Sequence, residues 1–261
     1  MEKHALHLMT WKEIEDAFQK DPVILIPMGS MEQHGPQSIT GDYLAAEAVA
    51  KCVAEKTGAY YLPVIPFGCS EYFRGFPGTI SLQPQTVFAL INDVCESLIE
   101  HGITKIFFVN GHAGNVPTID QVARKIRRER KIVCISIDLW QSLMPAFKQE
   151  VYKQEKDPSG HGAEPLTSVM SYLYPEMMRM DLLAPVTNNS EWGDFEIKTI
   201  RQGNVDGIPV NLYIDMEDIS VQGVMGDPLQ ASAQRGEAII NHLVNFCADV
   251  VGKLKKTRTT R

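Results

Sequence analysis

The chain has 261 residues, of which 44% are hydrophobic and 22% charged, and carries a net charge of −7. These values fit one folded domain over residues 1–261 and exclude a disordered chain. The acidic balance leaves no broad basic surface, which excludes nucleic acid and anionic membrane as partners.

Residues Met1 to His7 lack the apolar core of a signal peptide, and no uncharged apolar run reaches membrane-spanning length. The five cysteines (Cys52, Cys69, Cys95, Cys134, Cys247) are scattered and form no Cys-x-x-Cys pair. A cytoplasmic protein with free thiols is expected.

Thr10 caps a helix over Trp11–Lys20, with Glu13 in the capping-box position, and Asp21-Pro22 ends it. Val23–Met28 reads as a buried strand. It runs into a polar loop that carries Glu32, His34 and Asp42. Asp42 caps the next helix, Tyr43–Lys56, and Gly58 stops it. Tyr60–Pro66 is a second strand, leading to a glycine-rich segment from Gly68 to Gly78. Pro84 opens a long amphipathic helix to about His101. Lys105–Val109 is a third strand, followed by Asn110-Gly-His-Ala-Gly-Asn115 and a helix over Pro117–Arg130. Ile132–Ile137 is the fourth. Strands alternating with helices predict an α/β sandwich, a mostly parallel central sheet with helices on both faces.

Beyond Asp138 the alternation weakens. A helix is expected over Leu139–Tyr152, a polar loop over Glu155–Gly162, and an amphipathic helix over Glu164–Tyr174 with Pro165 in its first turn. Residues 175–222 are punctuated by proline and asparagine and are expected to supply an edge strand and a lid. Gly223–Pro228 is a turn and Leu229–Leu254 the final helix. The basic tail Lys253–Arg261 reads as a frayed, solvated end.

Ligands of open α/β sheets bind at the carboxyl ends of the strands. Glu32-x-His34 puts two donors on one side of an extended backbone, and Asp42 returns after a short loop. His112 follows another strand and is framed by Gly111 and Gly114. His161 and Glu164 follow the excursion after the fourth strand. Singly, each residue has a plainer role: a solvated acid, a helix cap, a loop histidine. Glu164 also suits a helix's first turn. Jointly they exceed what one tetrahedral ion needs, and point to two divalent ions about 3.5–4 Å apart. His4, His7, His101 and His242 have no ligand-like neighbours.

Five blocks, Gly29-Ser-Met-Glu-Gln-His-Gly-Pro36, Phe76-Pro-Gly-Thr-Ile-Ser81, Val109-Asn-Gly-His-Ala-Gly-Asn115, His161-Gly-Ala-Glu164 and Gly223-Val-Met-Gly-Asp-Pro228, together resemble the creatininase family. The resemblance implies a creatininase-like three-layer sandwich, a binuclear site of zinc, manganese or iron, hydrolysis of an amide-type C–N bond in a small molecule, and a homo-oligomer, often a hexamer. Carried over, Glu32 and His112 bind one ion, His34 and Glu164 bind the second, and Asp42 bridges them. His161, with Glu164 as the alternative, transfers the proton. A hydroxide bridging the ions would attack the carbonyl of a small cyclic amide or related substrate.

Three departures stand out. Creatininase has a metal-binding glutamate where this chain has Gly114. The segment before Phe76 reads Ser70-Glu-Tyr-Phe-Arg74, where Glu-His is common. The first loop reads Thr40-Gly-Asp-Tyr43 and is one residue shorter than usual. Two other functions fit the same residues: C–C hydrolysis of a cyclic polyol ketone of the inosose type, and a metal-binding sensor without turnover.

Overall fold

The computed structural model describes residues 3–153 and 157–260. Thr10 opens α1 (Trp11–Phe18) with the expected reciprocal capping box to Glu13. Then follow β1 (Val23–Met28), α2 (Asp42–Thr57), β2 (Tyr60–Tyr61), α3 (Pro84–Glu100), β3 (Lys105–Asn110), α4 (Val116–Glu129) and β4 (Ile135–Asp138). The four strands form one parallel sheet in the order β2-β1-β3-β4.

β1 and β3 are buried along their whole length. Their side chains alternate between two cores, as the two-residue period of a strand requires. Val23, Leu25, Phe107 and Val109 pack with Ala46, Val49 and Leu243 on one face. Ile24, Ile26, Ile106 and Phe108 pack with Val87, Ile91 and Val122 on the other. The three layers inferred from the sequence are therefore present.

The second half of the chain holds α5 (Pro145–Tyr152), α6 (Leu166–Leu173), the strands β5 (Glu191–Trp192), β6 (Phe195–Thr199), β7 (Gln202–Val205) and β8 (Ile208–Asn211), α7 (Met216–Ile219) and α8 (Ala233–Lys256). The expected helix over Leu139–Tyr152 forms only from Pro145, whose fixed φ suits a first helical position. The strand expected over Tyr60–Pro66 reduces to Tyr60–Tyr61, with one further bridge at Ile65. Of the polar loop expected over Glu155–Gly162, Glu155 and its neighbour at 156 lie outside the described residues.

Two expectations are overturned. Residues 175–222 supply no edge strand to the parallel sheet. They contain a separate antiparallel meander, β5-β6-β7-β8, which packs through Leu212 and Ile214 onto Phe73 of the glycine-rich loop. Nor is the tail frayed, because Thr260 pairs with Ile132, Val133 N–H donates to the Thr259 carbonyl at 2.9 Å, and Thr259 is buried. No helix among the described residues is long and apolar enough to cross a membrane.

Candidate metal centre

The carboxyl ends of β1 and β3 are neighbours in register, Met28 beside Asn110, so the loops that leave them emerge side by side. The first loop carries Glu32 and His34 and ends at Asp42, the first residue of α2. Gly41 rather than Asp42 is the cap residue, so the Asp42 side chain serves the loop instead of its own helix. Its Oδ1 accepts from Ser30 N–H at 2.5 Å. Only glycine fits at position 29, since a β-carbon there would lie 2.4 Å from Asp42 Oδ1 and 2.5 Å from Tyr43 Cα.

Glu32, Asp42, His34 and His112 are all buried, and His161 is nearly so. Their donor atoms converge on Glu32 Oε1, which lies 3.3 Å from His112 Nδ1, 3.4 Å from His34 Nε2 and 4.0 Å from His161 Nδ1. Asp42 Oδ2 lies 3.0 Å from His112 Nδ1. Two groups result, Glu32 with His34 and His161, and Glu32 with Asp42 and His112; in each the donor atoms lie within 4.8 Å of one another.

Each imidazole is anchored by its other nitrogen to a backbone carbonyl. His112 Nε2 faces Cys69 O at 2.8 Å, His34 Nδ1 faces Glu32 O at 3.0 Å, and His161 Nε2 faces Gln33 O at 2.8 Å. A carbonyl only accepts, so those nitrogens of His112 and His34 carry the protons, and their nitrogens aimed at Glu32 are the ones available to an ion; His161 Nε2 faces both the Gln33 carbonyl and, at 3.1 Å, the Gln33 side-chain amide nitrogen, a donor. This arrangement fixes tautomer and ring direction at metal sites.

The electrostatics agree with that use. Burial is the largest influence on Glu32 and opposes its charge, yet His112, His34 and His161 together hold its carboxyl down at about 2. Burial, with the Glu32 carboxylate adding to it, pushes Asp42 up to about 7. Burial, with His161 close by, lowers His34 to about 3. His112 behaves oppositely. Burial disfavours its cation, but Glu32 and Asp42 outweigh burial and hold it well above the ordinary range. No lysine or arginine among the described residues forms an ion pair with Glu32 or Asp42. Two buried carboxylates without a fixed cation and three pre-oriented imidazoles form a donor set that fits divalent ions.

Glu164 stands apart from both groups. It is buried; its Oε1 accepts from Ser168 Oγ at 2.6 Å, while Oε2, beside the Tyr152 hydroxyl, has no hydrogen bond of normal geometry. Burial raises its carboxyl above the usual range. The geometry thus divides the residues differently from the resemblance: Glu32 rather than Asp42 is common to both groups, and His161 rather than Glu164 accompanies His34.

Sequence reasoning missed three supports, all in the glycine-rich loop. Ser70 Oγ donates to Glu32 Oε2 at 2.5 Å and lies 2.6 Å from Ser30 Oγ. The Cys69 carbonyl orients His112, and Phe73 stacks on His161 with ring centroids 4.0 Å apart. The departure at Ser70-Glu-Tyr-Phe-Arg74 was the available signal.

Buried carboxylates and imidazoles gathered at the carboxyl edge of a parallel sheet place the chain among α/β proteins with a donor set for divalent ions. The chain belongs to the creatininase family, whose model, described as creatinine amidohydrolase, matches residues 7–251. It is 28% identical over 267 residues to the creatinine amidohydrolase of Pseudomonas putida, covering 93% of this chain and 94% of that protein. It is 29% identical over 244 residues to the mycofactocin precursor peptide peptidase of Mycolicibacterium smegmatis, covering 91% and 87%. A 3-dehydro-scyllo-inosose hydrolase of Thermotoga maritima is 27% identical over 261 residues, covering 93% and 82%. A solved creatinine amidohydrolase superposes with a TM-score of 0.81 at 26% identity, covering 99% of this chain and 100% of its own. Creatininases solved in a Zn–Zn form and with Mn superpose at 0.78 and 0.79, both 26% identical and covering 97% of this chain and 98% of theirs. The expected enzyme class, a metal-dependent amidohydrolase, is that of the family.

Proposed function

We propose that the protein hydrolyses an amide-type C–N bond in a small molecule, such as a small cyclic amide, with two divalent ions (Zn, Mn or Fe) at the carboxyl edge of the sheet. One observation carries this reading: three histidines, each anchored by one nitrogen to a backbone carbonyl, turn the other toward a single carboxylate oxygen of Glu32. Asp42 and His112 would hold one ion and His34 and His161 the other, with Glu32 shared. When bound, such ions polarise a carbonyl and acidify water.

The chain's own residues do the rest. Ser70 and Ser30 steady Glu32 and Asp42, so that neither carboxylate turns away as charge develops. Glu164 remains in the reading as a proton-handling acid or additional ligand. Its Oε1 is fixed by Ser168, and Oε2 lies buried beside the Tyr152 hydroxyl. Burial keeps its carboxyl readily protonated, which suits delivery of a proton to a leaving nitrogen.

Elemental analysis of the purified protein, before and after reloading, tests the centre. About two ions per chain supports it, and none after reloading removes it. His112→Ala should lose both an ion and turnover. If both survive, the assignment fails. Cyclic amides, formamides and short peptides form the substrate panel. The Thermotoga maritima relative favours one second reading, opening of a cyclic polyol ketone, so inososes join the panel. Silence across the panel from fully loaded protein would favour the sensor.

The same reading takes residues 1–261 as one cytoplasmic domain that forms a homo-oligomer. Five free thiols and an apolar trough lined by Leu6, Trp11, Ile14, Phe18, Leu62 and Leu90, with Trp11 exposed, support it. Light scattering on the eluting protein gives the assembly state.

A further inference from the structure

Asn115 stands at the cap position of α4, where an asparagine side chain ordinarily accepts from the first turn of its own helix. Here it makes no such bond, although it is fully buried. Its Oδ1 accepts from the Cys69 N–H at 3.1 Å, and its Nδ2 donates to the Gly29 carbonyl at 3.0 Å and to Asn110 Oδ1 at 3.3 Å. The amide oxygen and both of its N–H bonds are thereby used. The reversed amide would set N–H against N–H at Cys69 and oxygen against oxygen at Gly29, so the partners fix its orientation.

Two of these contacts land beside the supports of candidate ligands. The Gly29 carbonyl and the Ser30 N–H belong to one planar peptide unit, and that N–H donates to Asp42 Oδ1 at 2.5 Å. Cys69 is held at its N–H by Asn115 and presents its carbonyl to His112 Nε2 at 2.8 Å. The third contact runs to Asn110, which accepts from the His112 N–H at 3.3 Å and donates to the His112 carbonyl at 2.6 Å. The loop after β1, the glycine-rich segment and the end of β3 therefore meet on one amide. Gly68 makes the room for it, since a β-carbon there would lie 2.4 Å from Asn115 Oδ1 and 2.7 Å from the Gly29 carbonyl oxygen. His34 is anchored differently, within its own loop, on the Glu32 carbonyl.

We propose that Asn115 is a positioning residue: it sets the Gly29–Ser30 peptide and Cys69 together, and so places Asp42 and His112 as one unit for a divalent ion. This rests on the reading above, in which Asp42 and His112 serve one ion. A change at Asn115 should reach that ion and spare the one on the His34 side.

The test strips the full-length protein with a chelator and titrates it with Co²⁺, following both stepwise affinity and the visible absorption that reports coordination. His112→Ala and His34→Ala identify which binding step belongs to which side of the centre. Asn115→Ala removes all three side-chain contacts. Asn115→Asp keeps the size and the acceptor for Cys69, but sets a carboxylate oxygen against the Gly29 carbonyl. Gly68→Ala displaces the amide while leaving it intact, and carries the test if the Asn115 variants do not fold. Ile91→Ala, a cavity in the core beneath α3, controls for lost stability alone. Thermal melts establish which variants fold.

Each folded Asn115 or Gly68 variant should weaken the step lost in His112→Ala by about 10–100-fold, the effect of losing an outer support of a metal ligand, and should change its absorption. The step lost in His34→Ala should stay parental. Ile91→Ala should melt lower and bind both ions as the parent does. Parental affinity at the His112 step in the folded variants overturns the proposal, as does equal weakening of both steps, or weakening of the same step by Ile91→Ala. If His112→Ala itself binds both ions as the parent does, the centre is misread and the proposal falls with it. If His112→Ala loses an ion while the Asn115 variants lose nothing, the centre stands and only the role of Asn115 falls.

Discussion

Gly114→Ala is the smallest change that should disable the first half of the centre. A β-carbon at 114 would lie 2.1 Å from the Cys69 carbonyl oxygen and 2.5 Å from His112 Nε2. Non-bonded heavy atoms settle at about 3.5–4 Å, so the Cys69 backbone must retreat by more than 1 Å. That takes the 2.8 Å contact from His112 Nε2 to Cys69 O beyond hydrogen-bonding range. A hydrogen bond to a charged, buried group contributes about 1.5–3 kcal/mol, and metal-free His112 is such a group. The metal-free variant should therefore lose about 2–3 kcal/mol in urea unfolding. With its Nε2 anchor gone, the ring is free to turn, and the first ion should bind 10–100-fold more weakly. Gly114→Glu should fare no better, because the same β-carbon collides before the carboxylate can be of use. Gly114→Ala with parental stability and a first-ion affinity within twofold would refute the idea that the Cys69 carbonyl orients His112.

Ion binding should release protons near pH 6, because Asp42 is pushed up to about 7 and His112 is held well above the ordinary histidine range, and both must deprotonate to serve as ligands. Calorimetry in buffers of different ionisation enthalpy measures the release. The stripped protein should be most stable near neutrality. His112, raised in the folded state, adds stability that is lost as the pH climbs through its folded value, and the cost of the raised Asp42 builds up between the ordinary aspartate range and about 7 and is complete above it. His34, lowered to about 3, must stay neutral, so stability also falls as the pH drops below the ordinary histidine range; melting temperature against pH checks both limbs. Ser70→Ala should cost about 1.5–3 kcal/mol in the stripped protein by removing the donor to buried Glu32 Oε2, read by urea unfolding. Deleting residues 257–261 removes the Val133–Thr259 hydrogen bond and the Thr259–Thr104 contact, and should cost about 1–2 kcal/mol, a melting shift of a few degrees. A genuinely frayed end would show no shift.

The inner layers were legible because the two central strands carry continuous apolar runs. Val23–Met28 and the stretch from Ile106 to Val109 are apolar throughout and buried on both faces. The donors on strand-end loops were legible for a related reason, since parallel strands in register deliver successive loops to one edge. The meander escaped because its strands show little of the alternation that marks a half-buried sheet; Phe195–Thr199 is exposed at four of five positions. The tail escaped because its composition reads as solvated while its backbone pairs with Ile132 and Val133. Ser70 and Phe73 lie in a loop without period, where the departure at Ser70–Arg74 marks the segment but only the three-dimensional neighbours reveal the role of each side chain.

The two halves of the centre also differ in what they are built upon. Asp42 and His112 stand at the mouths of β1 and β3, where every nearby strand residue is buried and the hydrogen bonds run to fixed backbone groups. His34 is in the same first loop, but His161 belongs to the excursion between α5 and α6 and is steadied by an outer cluster of far fewer apolar residues. Local stability follows burial and contact density, so the half that depends on the meander opens more readily than the half at the sheet edge. On the proposed reading this makes the ions unequal: the first sits on rigid scaffold, and the second lies where the outer layer can move.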